Sequence, residues 1–127
     1  MTSPAPDARH LVVLAAQAAA EKKATEIVAL DVGDIISITE AFVVASASNP
    51  RQVRSIVDEI ELTLKVFEER TPRGVEGLDD ATWVLMDYGD FIVHVFLDET
   101  RAYYDLDRLW ADAPRIEWEE TPSAQVR

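Results

Sequence analysis

The stretch WVLMDYGDFIVHVFLDETRAYYDLDRLW, from Trp83 to Trp110, reads as a β-hairpin that runs directly into a short aromatic helix. Two runs rich in β-branched and aromatic residues, Trp83 to Tyr88 and Phe91 to Leu97, meet at Gly89 and Asp90, a pair suited to a tight turn. Alternation sorts these strands into two faces. Val84, Met86, Tyr88, Phe91, Val93 and Val95 make one almost wholly apolar face, which is the core side. Trp83, Leu85, Asp87, Ile92, His94 and Phe96 make the other, which is mixed. Simple hairpin register sets Trp83 across from Phe96 and Leu85 across from His94. Thr100 to Trp110 forms one or two helical turns with Tyr103, Leu106, Leu109 and Trp110 roughly on one side.

Working back from the hairpin, helices and strands alternate. Asn49 can cap a helix, Pro50 suits its first turn, and Gln52 follows Asn49 at capping-box spacing. The long helix that starts there carries Val53, Ile56, Val57, Ile60, Leu64 and Phe67 on one stripe, with Asp58, Glu59, Glu61 and Glu68 toward solvent. Thr71, Pro72 and Gly74 stop it, and a loop through Gly77, Leu78 and Asp80 leads to Trp83. Upstream, EIVALD (Glu26 to Asp31) and AFVVASA (Ala41 to Ala47) are strands. Their nearly continuous apolar character predicts central positions covered on two faces. DIISIT (Asp34 to Thr39) is a turn or a single helical turn between them. A first helix spans about Pro6 to Lys23, with Leu11, Leu14, Ala15 and Ala18 at helical spacing.

Composition bounds the class. A chain of 127 residues, 48% of them hydrophobic, can bury one core but not two. It has no cysteine, which excludes disulfides and thiolate metal sites and fits a reducing cytosol. The N-terminus lacks the charged start and apolar run of a signal peptide, and no stretch approaches membrane-spanning length. Twelve basic against 24 acidic residues give a net charge of -12. Residues 76–127 hold 13 acids and 4 bases, so the excess lies late in the chain. Such a field repels phosphate backbones and attracts basic surfaces, which disfavours direct nucleic-acid binding and favours a basic protein partner.

Candidate chemistry is sparse. Asp105 and Asp107, or Asp87 and Asp90 around the turn, could be imagined on magnesium, but solvated charge explains them better. Ser46, Ala47 and Ser48 before a helix could approach an anion, yet ordinary capping at Asn49 accounts for the same residues. His94 has only His10 as company, and no glycine-rich phosphate loop, HExxH or GxSxG occurs. Aromatics flanked by acids, as around Trp83, Tyr103 and Tyr104, are common interface anchors and, more often still, core residues.

The residues Ile27 to Asp31, TEAFVVASASN (Thr39 to Asn49) with Gln52 and Val53, and Gly74, Gly77 and Trp83 closely resemble the ribosomal silencing factor family, also called Iojap-related proteins. The most specific part is D-x-G-D-x-x-V-H-V (Asp87 to Val95) followed by R-x-x-Y-x-L-x-x-L-W (Arg101 to Trp110). The resemblance covers about Leu11 to Trp110. It implies a single α/β domain, a small mixed β-sheet flanked by helices in a nucleotidyltransferase-like arrangement, over residues 1–112, with 113–127 as an acidic, partly mobile extension. Within that extension Ile116 and Trp118 are candidates to dock.

The resemblance also implies a cytoplasmic translational repressor. Such a protein binds the fourteenth protein of the large ribosomal subunit, sterically blocks small-subunit joining when nutrients are scarce, needs no cofactor and is no enzyme. Trp83, Asp87, Tyr88, Gly89, Asp90, His94, Phe96, Tyr103, Tyr104 and Trp110 then fall at or near the contact, with carboxylates facing ribosomal Lys and Arg. The pattern departs from the family at Ser46 and Ala47, where a Gly-Thr type pair is usual. Acids at transferase spacing, Asp58, Glu59 and Glu61, sit on the exposed side of a helix, which speaks against a magnesium-dependent nucleotidyltransferase. A nucleotide- and magnesium-dependent nucleotidyltransferase and a dimerisation module without a ribosomal role are nevertheless the two alternatives, and a homodimer of the free protein is compatible with silencing.

Overall fold

The chain, seen in a computed structural model that describes residues 5–34 and 39–119, begins with helix α1 (Ala5–Glu21) and strands β1 (Thr25–Asp31) and β2 (Ala41–Ala47). Helix α2 (Pro50–Glu68), strand β3 (Gly74–Glu76) and strands β4 (Trp83–Asp87) and β5 (Phe91–Leu97) follow, then the short helices α3 (Asp98–Tyr104) and α4 (Leu106–Leu109). The strands form one sheet in the order β1-β2-β5-β4-β3. Only the β2–β5 pair is parallel, which makes this α/β domain a mixed sheet. The long connection carrying α2 is what a parallel neighbour requires.

Helix α2 starts as its sequence dictates. Asn49 is extended (φ -155), and its side-chain oxygen accepts from the Gln52 backbone N–H at 2.8 Å. The Gln52 side chain returns the bond one residue early: its Oε1 accepts from Ser48 N at 2.9 Å, while its Nε2 donates to the Lys22 and Lys23 carbonyls. One glutamine therefore caps α2 and holds the end of α1 beside it. The helix stops earlier than the proline and glycine suggest. Glu69 turns left-handed (φ 56), and its N–H closes on the Leu64 and Lys65 carbonyls.

One face of the sheet, with Val43, Ala45, Val84, Met86, Phe91, Val93 and Val95, packs on Val12, Ala15, Ala16 and Ala19 of α1 and on Val53, Ile56, Val57, Ile60 and Leu64 of α2. The alanines of α1 let its backbone approach closely, and the α2 stripe is the one read from period 3.6. Phe67 departs from that stripe. It is 69% exposed, one turn past Leu64, where the helix has overrun the layer that covers it. The opposite face buries a second cluster of Leu30, Val32, Phe42, Val44 and Phe96 with Ala113.

Strand β2 is buried along its whole length, as its apolar run predicts, but β1 is the outermost strand rather than a central one. Its apolar residues are explained by the segment after α4, which covers the open edge. Asp31 N donates to the Pro114 carbonyl at 2.8 Å, Ile116 N donates to the Ala29 carbonyl at 2.8 Å, and Trp118 Nε1 donates to the Ile27 carbonyl at 3.3 Å. Ile116 is buried in the main core. Residues 113–118 are thus packed on the domain rather than trailing from it, and they shield an edge that would otherwise pair with other chains. The expected turn at DIISIT and the expected mobile tail TPSAQVR fall mainly outside the described residues.

Strand β3 has no period-2 signature, being three residues around Val75 pairing Gly74 with Asp87 and Glu76 with Leu85. The chain leaves it through Gly77 at φ +94, where a Cβ would stand 2.2 Å from the Trp83 carbonyl oxygen. Gly77→Ala meets both a left-handed backbone and fixed main chain. It is expected to cost about 2 kcal/mol or more in chemical denaturation, and a loss under ~0.5 kcal/mol would show that this loop is free to rearrange.

Candidate partner-binding surface

The hairpin register is the one alternation demands, with Trp83 opposite Phe96 and Leu85 opposite His94. Trp83 and Asp87 stand at the two ends of β4, about 13 Å apart at the rise of a strand, and the sequence-predicted contact residues divide into two groups accordingly. Asp87, Tyr88, Gly89 and Asp90 stand at the turn. Trp83, His94, Phe96, Tyr103, Tyr104 and Trp110 gather at the other end, beside α3.

At the turn, the carboxylates are already engaged within the chain. Asp87 Oδ1 accepts from Gly89 N at 2.8 Å, and its Oδ2 pairs with Arg73 at 3.2 Å. Asp90 Oδ1 pairs with Arg70 Nη2 at 2.9 Å, and the same nitrogen donates to the Tyr88 carbonyl. Thr39 Oγ1 donates to the Gly89 carbonyl and Glu40 N to that of Asp90. The D-x-G-D motif thus ties the turn to the end of α2 and the start of β2. Asp87 and Asp90, expected to face a partner's Lys and Arg, are thus already paired with Arg73 and Arg70 within the chain. Tyr88 is also inside, stacked on Phe91 with ring centroids 4.8 Å apart, and burial pushes its phenol well above the usual range.

At the other end, three aromatics reach solvent. Trp83 is 36% exposed, Tyr104 54% and Tyr103 81%. Tyr104 lies 5.8 Å from Trp83 between centroids, and Tyr103 packs edge-on to Tyr104 at 4.9 Å. With Thr82, Glu99 and Thr100 they line an open groove of about 430 Å³. The start of α3 contributes Asp98 and Glu99, acids that a helix N-terminus stabilises. The Leu106 and Leu109 side chains, expected on the same side, lie outside the described residues.

Two residues expected at the contact are buried beneath these aromatics. Phe96 is fully buried beneath Trp83, at 4.8 Å between centroids, and His94 is 5% exposed. Alternation places both on the outer face correctly. What it cannot show is that Phe42, from β2, and Trp110, after α4, close over His94 at 4.6 and 5.6 Å. His94 Nδ1 accepts the Trp83 indole N–H at 3.2 Å, so the ring proton sits on Nε2, which has no partner among the described residues. Burial pushes the His94 pKa from an ordinary 6.5 down to about 4.

Sequence reasoning left Arg101 without a role, yet it organises this end. Its side chain is buried, with Nη1 donating to the Glu26 carbonyl at 2.8 Å and to Ser46 Oγ at 2.6 Å. Nε and Nη2 hold Asp107 Oδ1 at 3.1 and 3.0 Å. One guanidinium therefore joins α3 and α4 to β1 and β2. Ser46 Oγ is one of its acceptors. Among the described residues, no three His, Asp or Glu side chains come together as a metal would require. No described helix is long and apolar enough to cross a membrane.

A sequence model of the family described as "ribosomal silencing factor during starvation" matches residues 5–127. The chain belongs to the ribosomal silencing factor family. A silencing factor of Halalkalibacterium halodurans is 40% identical over 113 residues, covering 87% of this chain and 94% of that protein. That of Bacillus subtilis is 36% identical over 111 residues, with 84% and 89% covered. A maize chloroplast protein named Iojap is 32% identical across 80% of this chain and 44% of its own length. The fold agrees as well. A crystal structure of a Chromobacterium violaceum protein superposes with a TM-score of 0.76 at 33% identity, covering 80% of this chain and 84% of that one. The family match continues past Trp110, through the described residues that pack on β1.

Proposed function

We propose that this silencing factor represses translation by binding the large ribosomal subunit through its fourteenth protein and sterically blocking the small subunit. The observation that carries the assignment of a surface is the exposed trio Trp83, Tyr103 and Tyr104 around one groove. Large aromatics that are rigid and half-exposed make hot spots because they desolvate much area at small entropic cost. The contact then centres on this trio, with Trp110, His94 and Phe96 supporting it. A net charge of -12 steers the chain toward basic protein and away from bare RNA. Occupying space is sufficient for such a repressor, so no catalytic group and no cofactor is called for, and its place of action is the cytoplasm. The same apolar groove offers a self-association surface to the free protein, with a homodimer giving way to the ribosomal partner.

Subunit joining followed by light scattering tests the reading. Excess wild-type protein is expected to suppress joining, and Trp83→Ala to need roughly 30-fold more protein for the same effect, the loss typical of an interfacial tryptophan. Unchanged joining in the presence of excess wild type would refute it.

A further inference from the structure

His94 is a polar ring in an otherwise apolar nest. Its neighbours are Phe42, Phe96 and Trp110, with Trp83 above, and its Nε2–H is buried without an acceptor among the described residues. A phenyl ring would fill the same space without orphaning a donor, so packing alone does not explain an imidazole here. What the imidazole adds is one acceptor, Nδ1, aimed at the indole N–H of Trp83 at 3.2 Å. Trp83 is an edge residue of its strand, 36% exposed, and the tilted contacts with Phe96 and Tyr104 limit its ring without fixing its rotation. The hydrogen bond supplies the missing directional restraint.

We propose that His94 is a positioning residue, whose Nδ1 locks the Trp83 indole in the orientation that a macromolecular partner meets. The proposal rests on the reading of Trp83 as an interfacial anchor, and it replaces direct contact by His94 with action through Trp83. A preset anchor gives up less side-chain freedom on binding. The orphaned Nε2–H is a local cost to the fold that the interface recovers, a pattern expected where function rather than stability selects the residue.

Two measurements on the full chain test it. In the free wild type, the Trp83 indole N–H is expected to exchange with solvent at least about tenfold more slowly than an unbonded indole, as a hydrogen-bonded donor does. Rapid exchange would overturn the proposal without any variant. His94→Phe is then expected to keep or raise the thermal midpoint, lose that protection, and bind large subunits about tenfold more weakly, the effect of one oriented contact. His94→Asn, whose Oδ1 stands near the Nδ1 position, should return part of the protection. A His94→Phe protein that binds like wild type, while Trp83→Ala is defective, overturns positioning and leaves the interface standing. If Trp83→Ala binds normally, the interface reading fails and the positioning proposal with it.

Discussion

Arg101→Ala is expected to destabilise the domain by about 3 kcal/mol, a fall of roughly 10–15 °C in the thermal midpoint of a chain this size. Besides its pair with Asp107, the residue donates from Nη1 to the Glu26 carbonyl and to Ser46 Oγ, and each bond from a charged donor contributes about 1.5–3 kcal/mol. Truncation removes both donors at once and leaves the Glu26 carbonyl unpaired where β1 bulges, a position already held at φ 49. The ion pair with Asp107 is a smaller part of the loss, because the Asp107 side chain is 63% exposed and water replaces the guanidinium there. Asp107→Asn should therefore cost under ~1 kcal/mol. Arg101→Lys, which keeps the charge but not the fork, should fall nearer to alanine than to wild type. Equal losses for Arg101→Ala and Asp107→Asn in urea unfolding would show that the exposed pair, and not the buried bonds, holds α3 in place.

That arginine marks where sequence reading succeeds and where it stops. Residues whose environment is set by their own neighbours were legible: the bounds of β2 and β5, the Asn49 cap, and the Trp83 to Phe96 register follow from local capping and from period 2. Residues whose environment is supplied from far along the chain were not. β1 looks central because residues 113–118 cover its edge, and nothing within EIVALD records that they do. Asp87 and Asp90 look free because Arg70 and Arg73 arrive from beyond α2. His94 looks half-exposed because Phe42 lies on another strand. For Arg101 a faint local signal existed: it is the one base between Asp98 and Asp107, on a short helix rich in acids, and a lone base among acids often has an inward task. The candidate surface was legible as a stretch, from Trp83 to Trp110, but its division into an exposed groove, a buried floor and a separate turn needed the tertiary packing.

Acidification is expected to weaken the fold through His94 before it protonates that residue in the native state. The folded pKa lies at about 4 and the ordinary value at 6.5, and desolvation is the cause. Above pH 6.5 the imidazole is neutral in both states and contributes no pH dependence. As pH falls from 6.5 toward 4, the unfolded chain binds a proton that the folded chain does not, so stability drops by up to ~1.4 kcal/mol per pH unit. The total approaches about 3 kcal/mol near pH 4 and grows no further once the folded state also titrates. The His94 share is read as the difference between wild type and His94→Phe. Unfolding free energies from urea titrations at intervals between pH 7 and 4 should converge on a gap that widens by about 3 kcal/mol in favour of the phenylalanine variant. The physical reason for the direction is that Phe42, Phe96 and Trp110 surround the ring with aromatic carbon and bring no carboxylate to accept a second proton's charge. Parallel pH profiles for the two proteins would mean that the imidazole is solvated in solution, and the Trp83 orientation it maintains would then have to depend on Phe96 and Tyr104 alone.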